Sequence, residues 1–381
     1  MREPATLLPA EVRDVAGRLV VGALWTPLVS YPPTDPEHAG TPARDEPAYL
    51  AAESVSSADQ LTWIIRLREG MLFHDGSAVT ARSYVDTWRT VLAQRWRGAE
   101  VLTDVLRAKD FRAVDERTME LTLALPLGGV PLVLGSPALL PLPDSVLSTK
   151  DWAGFAANPV GNGPYRMARP WQPGWGAELA RVDGHPGPRS GRATGIELRV
   201  VADPEQQYAK ALSGAVDLAT EVPADRHEQA GRDFPGRLVM WPLPEVVLLA
   251  MPPGEPRFAD PAARYAIALA VDRRGLAAGP LGHQVDPADA LLPPGFPVGE
   301  RSGVCRPCND DPDAARSLWA QAGPPTTAFP LYFGAADGGG AAGPPAWVSA
   351  MADRLRDTLG VTVSPAPMPE GASPEPAGPP A

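Results

Sequence analysis

The stretch that decides the fold runs from Leu61 to Ala81 and reads LTWIIRLREGMLFHDGSAVTA. Its first seven residues place large apolar side chains at every second position, which is the pattern of a half-buried β-strand. Asp75-Gly76 then predicts a tight turn, because glycine adopts the positive backbone dihedrals that such turns need. Thr80 is a suitable N-cap, and an amphipathic stripe predicts the helix that follows over residues 81–94.

The same two patterns continue along the rest of the chain. Alternating apolar residues predict strands over residues 119–125, 196–201, 216–219 and 331–333. Helix starts followed by apolar stripes predict helices over residues 204–212, 261–271, 312–322 and 347–359. Residues 238–251 are almost entirely apolar, as expected of buried strands that cross between lobes. Strands and helices in alternation predict an α/β fold.

The composition describes an acidic globular protein. The 381 residues carry a formal net charge of -11, which argues against nucleic acid or an anionic membrane as the main partner. A chain of this length exceeds the roughly 250–300 residues at which single cores stop growing, so we expect two lobes. Prolines interrupt the richest apolar stretch, residues 130–146, so no transmembrane helix is predicted, and acidic residues interrupt any export signal at the N-terminus.

Seven segments in chain order carry a resemblance to a known family. They are Leu24–Val29, Ala48–Glu53, Leu61–Ala81, Asn158–Tyr165, Leu212–Leu218, Asp260–Arg273 and Asp311–Gly323. Together they resemble the bacterial extracellular solute-binding protein family 5, the oligopeptide- and dipeptide-binding proteins of ABC importers. The most specific match is Leu61–Ala81, which is similar to the family pattern tF-x-LR-x-G-v-x-F-x-DG-tpvTA. Asn158–Tyr165 is similar to the loop P-x-G-T-GPY.

The resemblance implies a two-lobed α/β fold like that of periplasmic binding proteins, of type II with an extra subdomain in the first lobe. We expect residues 1–237 to form the first lobe, with the subdomain inserted over about 45–160. Residues 238–363 would form a partial second lobe. Residues 364–381 are rich in Pro, Ala, Gly and Glu and predict a disordered tail.

The function implied by the resemblance is that of a substrate-binding protein for peptide transport, and not of an enzyme. A peptide or similar small solute would bind between the lobes, and ABC permease subunits would be the protein partners of an extracytoplasmic monomer. The alternative is a cytoplasmic relative recruited as an enzyme or accessory protein in a biosynthetic pathway, because the chain shows no signal peptide or lipid-accepting cysteine. A third hypothesis is a truncated product without a stable function.

Several positions depart from the family pattern. Thr26 stands where the early helix has an acid, Asn162 replaces the threonine of GTGPY, and Arg82 and Ser83 replace acids that normally follow the TA of the signature. The family also has an opening strand before Leu24. After Val361 it has a long closing segment, in place of which this chain has the Pro/Ala/Gly tail. The second lobe is therefore expected to be incomplete.

Catalytic and metal-binding motifs are weak in this sequence. Cys305-Arg306-Pro307-Cys308 lacks a second cysteine pair or a nearby histidine, so a local disulfide or two free thiols are favoured over a zinc site. The five histidines show no metal-binding spacing, and neither a P-loop nor a nucleophile elbow occurs. We therefore predict no cofactor, metal or catalytic residue.

Three residues are the candidates for ligand binding. Trp25 in the early helix and Trp241 at the presumed lobe crossing could offer aromatic packing surfaces to a ligand, although core packing is the alternative for each. Glu245 is the lone charge in the apolar stretch 238–251 and could pair with a ligand amine or with Arg264.

Overall fold

The structure is a computed structural model that describes residues 1–31, 47–188, 191–223, 226–239, 246–282, 285–290, 305–324, 328–334 and 343–369. The chain forms two compact units, Met1–Glu221 and Val222–Ala381. This division falls earlier than the lobe boundary at residue 237 expected from the sequence. Among the described residues, no helix has the length and apolar character needed to cross a membrane.

The described part of the first unit contains antiparallel sheets of four, three and two strands, with helices packed beside them. Its helices and strands, in chain order, are α1 (Val15–Leu24), β1 (Val29–Ser30), β2 (Ala48–Tyr49), β3 (Ala52–Ser56), β4 (Thr62–Leu67), α2 (Ala81–Gln94), β5 (Ala108–Ala113), β6 (Thr118–Leu123), α3 (Val130–Val133), α4 (Asp144–Thr149), α5 (Trp152–Ala157), β7 (Tyr165–Met167), β8 (Gly176–Arg181), β9 (Gly195–Arg199) and α6 (Pro204–Leu212).

The four-stranded sheet has the order β3-β4-β6-β5, and α2 packs on it. The alternation in β4 points Ile65 and Leu67 into a core where Met119 and Leu121 of β6 are also completely buried. Trp88 of α2 lies in this core, and its indole N–H donates to the Leu139 carbonyl at 3.1 Å. The strand and the helix predicted from residues 61–94 are both confirmed, because local pattern and buried face agree.

The start of α2 explains how the chain tolerates the loss of first-turn acids. The Thr80 hydroxyl accepts the backbone N–H of Ser83, and the Ser83 hydroxyl accepts the backbone N–H of Thr80 at 3.2 Å. This reciprocal pair is a capping box in which serine replaces the usual acidic or amide side chain. Ser83 therefore performs locally the task that a glutamate performs in the general motif.

The second sheet of this unit has the order β7-β8-β9, and α1 packs near it. The Asp14 side chain accepts the Gly17 N–H at 2.7 Å and caps α1. The helix ends at Leu24, and Trp25 has an extended backbone, so the predicted placement of Trp25 inside the helix is wrong. Pro27 explains this boundary, because a proline disfavours helical geometry in the residue before it and cannot donate a helix hydrogen bond.

The second unit is built around a pair of parallel strands. Its helices and strands are α7 (His227–Asp233), α8 (Pro261–Ala270), α9 (Arg273–Ala278), α10 (Pro312–Ala322), β10 (Ala328–Phe333), α11 (Ala346–Leu359) and β11 (Thr362–Pro367). Helices α8, α10 and α11 bury one core with β10 and β11. The Asp260 and Asp311 side chains cap α8 and α10, and Gly323 ends α10 with positive φ, as the sequence predicts.

Three segments differ from the sequence expectations. Residues 216–219 are not a strand, because they have no paired neighbour among the described residues. Residues 246–251 are also irregular, and Val247 is 70% exposed, so they are not the buried crossing strands that their apolar character predicted. Strand β11 continues to Pro367, four residues into the predicted tail, because it pairs in parallel with β10 along its whole length.

Candidate functional site

The three predicted ligand-binding residues have different positions relative to the described structure. Trp241 and Glu245 lie outside the described residues. Trp25 is completely buried in the core shared by α1 and the β7–β9 sheet. Its indole N–H donates to the Pro141 carbonyl at 3.0 Å, and its ring meets Phe155 edge-on with centroids 6.2 Å apart. This is the environment of a core residue, and a ligand contact by Trp25 stays a prediction.

The glycine loop at residues 161–164 packs directly on the end of α1. The Gly163 N–H donates to the Leu24 carbonyl at 2.8 Å. A Cβ on Gly163 would lie 2.6 Å from the Leu24 carbonyl carbon and the Trp25 nitrogen, far inside van der Waals contact. Glycine is required here because backbone approaches backbone too closely for any side chain.

Two departures from the family pattern contact each other at this loop. The Asn162 Oδ1 atom accepts the Thr26 N–H at 3.1 Å, and Asn162 Nδ2 lies 3.5 Å from the Thr26 carbonyl oxygen. Both residues are completely buried. The asparagine amide thus satisfies backbone groups just beyond α1 that would otherwise be buried without partners. The sequence marked both positions as unusual, but it gave no sign that they meet.

His74 joins the signature segment to the same loop. The Gly161 N–H donates to His74 Nδ1 at 3.2 Å, and His74 Nε2 lies 3.1 Å from the Gly163 carbonyl oxygen, to which it donates. The ring is therefore neutral, with both nitrogens used. Burial lowers the pKa of His74 to about 4, although the bond to the Gly163 carbonyl acts in the opposite direction.

This histidine predicts an acid-sensitive first unit. The pKa of His74 is about 4 in the folded chain, whereas an unfolded histidine has a pKa of about 6.5. Between these values the unfolded chain binds more protons, so the free energy of unfolding falls as the pH falls from 6.5 to 4, by roughly 3 kcal/mol in total.

Urea unfolding of the parent and of His74→Asn at a series of pH values measures this contribution. Because asparagine does not titrate, the stability advantage of the parent over the variant should be largest above pH 6.5 and should shrink towards pH 4. A difference that stays constant over this range would contradict a buried neutral His74.

A small cavity of about 220 Å³ opens beside His74. It is lined by Leu72, Phe73, His74, Gly76, Gly163, Arg166 and residues 182–186. His185 Nε2 lies 3.3 Å from the Thr26 hydroxyl, so the second histidine of the cavity is tied to the segment after α1. The bonds of the His74 ring to Gly161 and Gly163 indicate that this side chain joins the signature segment to the glycine loop and does not act as a free acid or base.

The cysteine pair in the second unit is oxidised. Cys305 and Cys308 form a disulfide across a single 3₁₀ turn, Arg306–Cys308. The guanidinium of Arg273 donates to the Cys308 carbonyl at 3.3 Å, which ties the turn to α9. Among the described residues, no group of three or more His, Cys, Asp or Glu side chains is arranged to hold a metal ion.

Known proteins resemble this chain in sequence. The family model described as bacterial extracellular solute-binding proteins, family 5 middle, matches residues 46–377. The glutathione-binding protein GsiB of Escherichia coli O1:K1 is 25% identical over 282 residues, which are 72% of this chain and 53% of the relative. GsiB of Shigella flexneri serotype 5b is 24% identical over 279 residues, with the same shares covered. The chain thus spans about half the length of these curated relatives.

Solved structures share the fold. DppA of Helicobacter pylori, solved in complex with peptide STSA, superposes with a TM-score of 0.76 at 20% identity and covers 96% of this chain and 72% of that one. AgaA from A. tumefaciens, solved with agropinic acid, gives a TM-score of 0.75 at 22% identity, with 96% of this chain and 71% of that one covered. Family and fold agree with the motifs at residues 61–81 and 158–165. The chain belongs to family 5 of the bacterial extracellular solute-binding proteins.

Proposed function

We propose that this protein is the substrate-binding protein of an ABC importer and binds a peptide or similar small solute. The observation that carries this proposal is the family match over residues 46–377, together with a fold like that of binding proteins over 96% of the chain. In this function no bond is made or broken. Ligand binding stabilises a closed form, which is then recognised by the permease.

The solute class follows from what the similar proteins are named for. They are named for glutathione or were solved with a tetrapeptide or an opine, agropinic acid. We propose an amino-acid-derived solute of this size range for the present chain. Trp241 would pack against its apolar part, and Glu245 would pair with its amine, as their residue types suggest. A monomer acting outside the cytoplasm with permease subunits as partners completes the proposal.

Thermal unfolding with ligands tests this function. Tryptophan fluorescence is followed on heating with glutathione, the peptide Ser-Thr-Ser-Ala, agropinic acid and a peptide library, each at several concentrations. A ligand that binds only the folded chain stabilises it by about 2.7 kcal/mol at one hundred times its dissociation constant, so the midpoint should rise with concentration.

Two variants make the test specific. Trp241→Ala and Glu245→Gln should lower the ligand-dependent rise while leaving the midpoint without ligand close to that of the parent. A cooperative transition that no compound of these classes shifts would contradict the proposed function and would favour the recruited relative.

A further inference from the structure

A larger cavity, of about 440 Å³, lies beside Trp175, the end of β9 and helix α6. Its polar and aromatic walls are the side chains of Trp175, Arg199, Gln206 and Lys210, and its floor is formed by Gly174 and residues 200–202. A volume of this size falls within the roughly 300–1,000 Å³ of small-molecule sites. All of these residues belong to the first unit.

The fold fixes this cavity through backbone hydrogen bonds. The Val200 N–H donates to the Trp175 carbonyl at 2.8 Å, and the Val201 N–H donates to the Met1 carbonyl at 2.8 Å. The chain then enters α6, whose N-cap is Asp203. Gln206 and Lys210 are four residues apart on this helix and so lie on one face, towards the cavity. The walls are therefore carried by a sheet and a helix, which hold them in defined positions.

The charged side chains that line the cavity, Arg199 and Lys210, are hydrogen-bond donors. Lys210 is half-buried and forms no ion pair within the described part of the chain. Arg199 donates through Nε to Glu197 at 2.7 Å, and its terminal nitrogens form no other hydrogen bond to described residues. The indole N–H of Trp175 and the amide of Gln206 are likewise without a described protein partner. Lys210 is therefore the cationic side chain of this lining that has no ion-pair partner among the described residues, whereas the charge of Arg199 is balanced by Glu197.

We propose that this cavity binds a small organic acid, with its carboxylate between Lys210 and Arg199 and a flat apolar body against Trp175. Carboxylates make their strongest hydrogen bonds with charged donors, and the two terminal nitrogens of Arg199 suit a bidentate contact. An indole ring offers a rigid apolar surface with one polar edge. All of its walls lie in residues 174–210 of the first unit.

A matched pair of probes tests the need for a carboxylate. N-acetyl-L-phenylalanine and its C-terminal carboxamide differ only in the charge at one end, and calorimetric titration measures their affinities for the full chain. The acid should bind saturably, and the affinity for the amide should be at least about tenfold lower, as expected for the loss of a charge-assisted hydrogen-bond pair. Equal affinities, or no binding of the acid, would overturn the proposal.

Variants locate the binding. Lys210→Gln removes the charge but keeps a polar side chain, and it should lower the affinity for the acid at least fivefold. Trp175→Leu should lower the affinities for the acid and the amide together. Lys109→Gln is the matched control, since Lys109 is an exposed lysine of β5 far along the chain from the cavity. Binding that survives Lys210→Gln unchanged would overturn the assignment.

The same variant separates this site from the proposed transport function. Lys210→Gln should leave the peptide-dependent rise of the unfolding midpoint intact, because that rise reports a different site. If Lys210→Gln loses both acid binding and the peptide-dependent rise, while the unfolding midpoint of the free protein is unchanged, the proposal of a separate site is wrong. If no peptide shifts the midpoint, the proposed transport function is contradicted. The titration with the acid is a separate readout and still decides whether the cavity binds a carboxylate.

Discussion

Gly163→Ala is expected to destabilise the first unit by about 3–5 kcal/mol, because the new methyl group has no space that side-chain movement can create. Its Cβ would lie 2.6 Å from two backbone atoms at the end of α1, the carbonyl carbon of Leu24 and the nitrogen of Trp25. Backbone must therefore shift, which also strains the bond from Gly163 to the Leu24 carbonyl and the contact of His74 with the Gly163 carbonyl.

Urea unfolding of this variant beside Gly22→Ala isolates the steric effect. Gly22 lies inside α1, and a Cβ there would meet no atom within 4 Å. Alanine is the better helix former by about 1 kcal/mol, so Gly22→Ala should leave stability unchanged or raise it slightly. A Gly163→Ala variant as stable as the parent would mean that the loop at residues 161–164 does not pack on α1 as described.

Trp25→Ala is expected to lower the free energy of unfolding by a similar amount, about 3–5 kcal/mol, because removal of a completely buried indole leaves a large void. The void would open in the core that contains Phe155, and the Pro141 carbonyl would lose the indole N–H that now donates to it at 3.0 Å. Loss of the partner of a buried acceptor adds to the cost of the cavity.

The same position distinguishes core packing from ligand contact. Trp25→Phe keeps most of the ring volume and should lower stability less than Trp25→Ala does. As Trp25 is completely buried, peptide affinity measured well below the unfolding transition should be the same in Trp25→Phe and in the parent. A variant with parental stability and weakened affinity would instead support the ligand contact predicted from the sequence.

Elements with a local signal were predicted well from the sequence. The helices Ala81–Gln94 and Pro204–Leu212 occur with the predicted bounds, because a cap or a proline-started turn and an apolar stripe lie in the same few residues. The strand at residues 62–67 follows from alternation alone. The prediction of buried strands was wrong at residues 246–251. Apolar character leads to burial in a sheet only where a partner strand is present, and none of the described strands pairs with these residues.

The site residues were harder to predict because their environments come from distant parts of the chain. The partner of Trp25 is Pro141, 116 residues away, and the partner of His74 Nδ1 is Gly161, 87 residues away. No period or motif spacing encodes such pairs. The Gly161–Pro164 motif was the available signal for a close backbone approach, but the sequence did not indicate that His74 and Asn162 complete the same junction. The cavity at Trp175 and Lys210 gave no sequence signal at all.

Calorimetric titration of the purified chain with the best ligand of the peptide library, at two temperatures, tests the central claim most directly. The account predicts saturable binding with one ligand per chain and a negative heat-capacity change, as expected when apolar surface is buried on binding. It also predicts that Glu245→Gln weakens this binding. A folded chain that binds no peptide, glutathione or opine at any concentration tested would contradict the proposed function.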